Sequence, residues 1–251
     1  MATDDISRSA YYPEKRYAGV RMQQGRVLTD DDFNEQEAIH HEDKRLMHKD
    51  VIGTAGSPDK GFSISNADDT SGIDFDINKG VFYVGGVRVE LHKNQTFKLQ
   101  KDWLQNPGNT APAGERQDMA YLEVWQQKVS AVEDGELFET ALGGPDTTTR
   151  RRTMVRVKLA ENVETTYCSE AWNKVKAEIV DTLGGQFEEN HALVSDADLT
   201  VGYDTNGDNE DLCSPSAIAG YLGAENQSIR VQLTDQNHFT WGFDNGTPLY
   251  R

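Results

Sequence analysis

Residues 80–91 constrain the fold more tightly than any other stretch of the chain. Val81-Phe82-Tyr83-Val84 is continuously apolar, Gly85-Gly86 follows, and Val87-Arg88-Val89-Glu90-Leu91 alternates apolar and charged side chains. β-branched and aromatic residues suit a pleated, half-buried surface, and two glycines supply the positive φ angles of a two-residue turn. The pattern predicts a β-hairpin. The same period of two runs on both sides of it. Ile73, Phe75 and Ile77 alternate with Asp74 and Asp76 upstream. Downstream, Phe97–Leu99 reads as a short strand. Met119–Val129 reads as a long one, with Tyr121, Glu123 and Trp125 on one face and Leu122 and Val124 on the other. Arg152–Leu159 is a further strand with Val155, Val157 and Leu159 facing in. Residues 106–117, with Pro107, Gly108, Pro112 and Gly114, form a loop. Ser228–Leu233 and His238–Phe243 are late strands, and Asn245-Gly246 is a strong turn signal with five residues left after it. That unfinished hairpin is expected to be completed by a longer chain or by a partner.

Two segments break the period. Thr29 followed by Asp30-Asp31-Asp32 sets an N-cap, a capping-box acid and carboxylates at the positive end of a helix dipole. The helix is predicted to run to Ile52 and stop at Gly53. Its apolar positions (Phe33, Ile39, Leu46, Met47, Val51) are few among charges and histidines, which suits a helix at a surface or subunit contact. A second helix over Ala171–Leu183, capped by Ser169 and closed by Gly184-Gly185, carries the stripe Trp172, Val175, Ile179 and Leu183 and is expected to pack on a core. Residues 1–28 are polar, hold Tyr11-Tyr12 before Pro13, and lack periodicity. They read as an extended arm ordered against something else.

The expected fold is therefore mainly β (α+β): an N-terminal arm and helix, then antiparallel sheets or a sandwich with one further packed helix. The expected organisation is an attachment segment over 1–56 and a β-rich domain over 57–251.

Composition limits the function. The chain has 251 residues with 25 Lys and Arg against 42 Asp and Glu, a formal net charge of -17. Nucleic acid needs a basic footprint and is excluded as a partner, as is an anionic membrane surface. No apolar run approaches the roughly 20 residues of a membrane span, and no apolar h-region follows the acidic start. Assembly is expected in the cytoplasm. Cys168 and Cys213 are the two cysteines, too few for a disulfide framework or a zinc site.

Candidate chemistry is thin. In Asp204-Thr205-Asn206-Gly207-Asp208-Asn209-Glu210-Asp211 oxygen donors recur at the spacing a calcium ion uses, with Asp204, Asn206, Asp208 and Asp211 as candidate ligands. The sixth and twelfth positions are Asn209 and Pro215, where an EF-hand has Gly and Glu, so a solvated acidic loop stands as the alternative. The six histidines show no chelating spacing, and Gly143-Gly144-Pro145-Asp146 lacks the Lys of a phosphate loop. No nucleophile elbow or placed acid pair is present, so no enzyme activity is expected. Arg150-Arg151-Arg152, the sole basic cluster, either grips an acidic neighbouring subunit or guards a strand edge.

Four blocks carry a resemblance. Tyr17-Ala18-Gly19-Val20-Arg21-Met22-Gln23-Gln24-Gly25-Arg26-Val27-Leu28-Thr29-Asp30-Asp31-Asp32-Phe33-Asn34-Glu35-Gln36 resembles the opening signature of an uncharacterised domain family from gene clusters of extracellular contractile injection systems and tailed phages. Gly80–Val87, Glu139–Arg150 and Phe239–Gly246 resemble its first hairpin, its most distinctive block and its late strand, although Gly242-Phe243 stands where Ser-Arg is the family's pattern. The turn and acidic-capped helix are also similar to the particle-binding ends of some tail spikes. The resemblance implies a non-enzymatic structural part of a tail-like particle, near the baseplate or spike, a tube plug or a fibre attachment, working through protein–protein contacts and ending in an extracellular particle or virion. It implies Arg21, Gln23, Gln24, Arg26 and Asn34 as assembly residues beside Arg150, Arg151 and Arg152. A homotrimer or homohexamer is expected from the closed symmetry of such parts. The alternatives are a carbohydrate-binding or depolymerase spike module using Trp103, Trp125 or Trp241, and a delivered cargo.

Overall fold

The computed structural model describes residues 7–8, 11–68, 72–100, 114–131, 134–144, 147–189, 191–196, 200, 229–233 and 239–243. The fold is mainly β, of the α+β kind. A short 3-10 turn at Pro13–Lys15 precedes helix α1 (Asp30–Ile52). The strands β1 (Ala55–Gly56), β2 (Ile64–Asp68), β3 (Asp74–Ile77), β4 (Gly80–Val84), β5 (Val87–Leu91) and β6 (Gln95–Thr96) come next. The long strands β7 (Met119–Val129) and β8 (Arg150–Ala160) lead into helix α2 (Cys168–Leu183). Four strands follow: β9 (Gln186–Phe187), β10 (Leu193–Val194), β11 (Ile229–Leu233) and β12 (Phe239–Phe243).

The chain divides into two compact units. One comprises residues 1–100, 108–115 and 187–193; the other comprises 101–107, 116–186 and 194–251. In the first unit the predicted glycine hairpin forms, with β4 and β5 antiparallel and Val84 opposite Val87. β1 adds to β4 on its other side, and β2, β3 and β6 make a second antiparallel sheet. Phe75 and Ile77 are buried as the alternation requires, while Asp74 and Asp76 stay partly exposed. Phe97 does not extend a strand. It begins a 3-10 turn after β6 and stacks on Phe75 with centroids 4.6 Å apart, so ring packing takes precedence over the extended period there. Ile39 of α1 and Phe62, Ile73, Val89 and Phe97 complete the buried apolar set of this unit among the described residues.

α1 rests on the hairpin turn. Arg45 Nη1 donates to the Gly85 carbonyl at 3.0 Å, and His48 Nδ1 donates to the Gly86 carbonyl at 3.0 Å. A Cβ on Gly86 would stand 2.1 Å from the Arg45 carbonyl oxygen, and its φ is +84°. The glycine therefore does two things: it makes the turn and it admits the helix.

In the second unit β7 and β8 pair over eleven residues, from Met119 opposite Ala160 to Val129 opposite Arg150. α2 lies on the face bearing Met119, Tyr121 and Ala160, and Ala171 and Val175 are buried there with Trp172 and Ile179 packed alongside. Val155, Val157 and Leu159 belong to the opposite face, where Val157 is buried and the other two are half-buried, as expected; the side α2 covers is the one that Lys158 and Arg156 share. Those cations are tolerated because Glu123 lies between them. Its carboxylate accepts from Arg156 Nε at 2.5 Å and from Lys158 Nζ at 3.0 Å. Burial works against the charged carboxylate, but the two cations outweigh it and hold Glu123 below its ordinary range. Tyr121, half-buried beside them, is pushed up to about 12 by its partial burial.

α2 starts one turn earlier than its apolar stripe implies. Cys168 is its first residue and Tyr167 its N-cap, so Ser169 sits inside the helix. Thr165 takes the organising role: its hydroxyl accepts from the Tyr167 N–H at 3.3 Å and donates to Glu170 at 2.8 Å. Gly184 closes the helix with φ 76°. β9 pairs with β10, and β11 pairs antiparallel with β12, Ile229 opposite Phe243 and Leu233 opposite Phe239. The Asn245-Gly246 turn lies outside the described residues.

Candidate functional site

The face that stands out is the arm together with α1. Thr29 starts the helix in an extended conformation, and its N–H and hydroxyl both donate to Asp32 Oδ2, at 3.3 and 2.9 Å. The other two acids of the first turn hold the arm. Ser7 donates its N–H to Asp30 Oδ2 at 2.8 Å and its hydroxyl to Oδ1 at 2.5 Å, while Arg8 Nε bonds Asp31 Oδ2. Asp31 is 4% exposed. Each carboxyl lies below its usual range, Asp30 through the Ser7 bonds and Asp31 through the Thr29 hydroxyl and then Arg8. Further along, the Gln36 carboxamide accepts the Val20 N–H at 2.8 Å and contacts His40 at 2.7 Å. The arm thus folds back on the first half of the helix.

These latches are polar, and the apolar side chains of the segment point outward. Tyr12, Tyr17, Met22, Val27 and Leu28 of the arm and Phe33, Leu46, Met47, Val51 and Ile52 of α1 are exposed, Val27 at 86% and Val51 at 81%. Ile39 is the buried apolar residue of the helix. Water-facing apolar groups on a folded segment cost free energy until something covers them, and clustered ones mark contact surfaces.

Five of the predicted assembly residues lie on the arm and α1. Arg21, Gln23, Gln24 and Arg26 are exposed on a turn in which Arg26 N–H returns to the Gln23 carbonyl at 3.3 Å, with Gly25 at φ 74°. Asn34 is exposed on α1. Arg150, Arg151 and Arg152 are exposed at the start of β8, and Lys128 stands opposite Arg151, so four cations gather at one end of that ladder. Arg150 Nη1 is held by Thr148 Oγ1 at 2.6 Å. The sequence signal missed in advance was the arm's own apolar content. Met22, Val27 and Leu28 are isolated among polar residues, and their exposure depends on the arm being latched by its polar groups.

Asp204, Asn206, Asp208 and Asp211, the candidate calcium ligands, lie outside the described residues, as does Cys213; Cys168 is exposed at the start of α2. Among the described residues no group of three or more His, Cys, Asp or Glu is placed to hold a metal ion, and no helix is long and apolar enough to cross a membrane. Trp125 is half-buried with the Arg156 guanidinium 5.0 Å over its ring, a position that closes one face of the indole to a sugar. Trp103 lies outside the described residues, and of Trp241 the backbone alone is described, within β12.

No curated protein and no solved structure matches the chain. The family model for DUF6519, a family of unknown function, matches residues 2–176, a span that takes in the arm, α1, all strands to β8 and the first half of α2. The chain belongs to that family.

Proposed function

We propose that this chain is a non-enzymatic structural component of a phage-tail-like contractile injection system or phage tail, placed near the baseplate or spike, as a tube plug or as a fibre attachment. It works by protein–protein assembly. The observation that supports the reading is the latched arm with its outward apolar residues on arm and α1. A polar clamp that spends its hydrogen bonds on holding the arm, while leaving Val27, Leu28, Phe33 and Val51 in water, suits a surface awaiting other subunits. The resemblance of the opening block and of Glu139–Arg150 to an uncharacterised domain family from gene clusters of contractile injection systems and tailed phages supplies the context. The exposed cations Arg150, Arg151 and Arg152 offer an acidic neighbour bidentate contacts. Other tail, baseplate or tube subunits are the partners, and copies of the chain arrange as a trimer or hexamer on the particle. Assembly takes place in the cytoplasm, before the particle acts outside the cell.

The test is purification of tail-like particles from a strain encoding the chain with an affinity tag. Co-sedimentation of the chain with tube and sheath proteins through a gradient is the expected result. Recovery of the chain entirely in the soluble fractions, with intact particles lacking it, would sink the reading.

A further inference from the structure

The exposed face of α1 is complementary to itself. At about 100° per residue, Phe33, Glu37, His40, Lys44, Met47 and Val51 fall within about 40° of one line along the helix, and all six are exposed. Asp43 and Asp50 lie about 80–100° away, on the rim. The line is about 27 Å long at 1.5 Å per residue, with apolar groups at both ends and opposite charges inside them. Its order is symmetric about His40. Phe33 lies seven residues before it and Met47 seven after. Glu37 lies three before and Lys44 four after.

We propose that α1 pairs antiparallel with α1 of a second copy, about a two-fold axis at His40. Phe33 of each copy then comes level with Met47 of the other, and Glu37 comes within one residue of level with Lys44, twice per pair. Val51 reaches the other copy's helix start, where Leu28 is exposed. A two-fold contact of this kind uses one patch on both subunits and requires self-complementarity. A parallel, in-register pair fails it, because Glu37 would face Glu37 and Lys44 would face Lys44, and like charges at such distances repel. The charges thus choose the direction, and the apolar ends supply the burial. The contact stands on the α1 pattern and goes beyond the particle reading. A hexamer of three α1 pairs accommodates both; a trimer does not accommodate this contact.

The experiment is light scattering and sedimentation of the full chain over a range of concentrations, with circular dichroism as a check on folding. The wild type is expected as an even-numbered oligomer. Phe33→Glu and Met47→Glu are each expected to weaken it by about a hundredfold or more, since two buried anchors become charges per pair. E37K and K44E singly are expected to weaken it by about tenfold, two Glu37–Lys44 pairs turning repulsive in each dimer. The double variant E37K/K44E restores association, which a merely structural role for either side chain would not. A monomer at all concentrations, an odd-numbered oligomer, or an oligomer indifferent to these exposed substitutions overturns the proposal.

Discussion

Single residues in this chain often serve two elements at once. Gly86 makes the β4–β5 turn and lets α1 approach, with the Arg45 carbonyl 2.1 Å from where a Cβ would be. Gly86→Ala meets both the steric block and a positive φ, and is expected to lower stability by about 2–3 kcal/mol, read as a shift in the urea midpoint. Glu123 is a similar hinge of charge. Arg156 is 4% exposed and leans on a carboxylate whose own side chain is 35% exposed. Glu123→Gln keeps the shape and removes the charge, leaving the guanidinium without its carboxylate. The expected cost is about 1–2 kcal/mol, reduced from the fully buried case because water reaches Glu123. Equilibrium denaturation with an unchanged m-value is the check.

At the scale of elements, the arm depends on ionised acids. Asp30 and Asp31 both have pKa values lowered from 3.8 in the folded chain. A carboxylate with a depressed folded pKa stabilises the folded arrangement fully above its unfolded value and loses that contribution as pH falls through the folded one. Latching of the arm is therefore expected to be constant through neutral pH, to begin to weaken below about pH 3.8, and to be lost as pH falls further through the lowered folded values. The Ser7 amide, which donates to Asp30 at 2.8 Å, reports it: its NMR shift should move in that acid range. Asp30→Asn should weaken the latch already at neutral pH. Which elements were legible in the sequence follows from how local their causes are. The α1 cap and the Gly85-Gly86 hairpin need information from a few adjacent residues, and both form where the pattern puts them. The start of α2 depends on Thr165, three residues before the helix begins, which bonds Glu170 inside it; a capping residue sought beside the apolar stripe leads to Ser169 instead. Phe97 turns on a stacking partner, Phe75, 22 positions away, and the burial of Arg156 on the α2 side of β7 and β8 turns on the triad of Glu123, Arg156 and Lys158. Pattern alone ranks valines above arginine for burial and so points to the other face, where Val157 is indeed buried at 4%; what it misses is that Arg156 is buried equally on the α2 side. For the site, the exposed polar residues of the arm were readable from its signature block, whereas the outward turn of Met22, Val27 and Leu28 follows from tertiary hydrogen bonds to α1.

The molecule taken whole carries a formal charge of -17, yet it concentrates cations at Arg150, Arg151 and Arg152 and leaves apolar residues outward on the arm and α1. Charge of this size keeps free chains apart at low salt and is screened beyond about 8 Å at physiological ionic strength, so association through α1 or the arm is expected to strengthen as salt rises from 20 to about 150 mM. Sedimentation at the two salt levels checks it. The most direct test of the central claim is particle binding by a full chain carrying Val27→Asp and Leu28→Asp, two exposed positions whose change leaves the described cores untouched. The account predicts an unaltered melting transition and at least a tenfold drop in the fraction of chain that sediments with tail-like particles. Undiminished binding by this variant, with the same folded stability, would contradict the assignment of the arm as the surface through which the chain assembles.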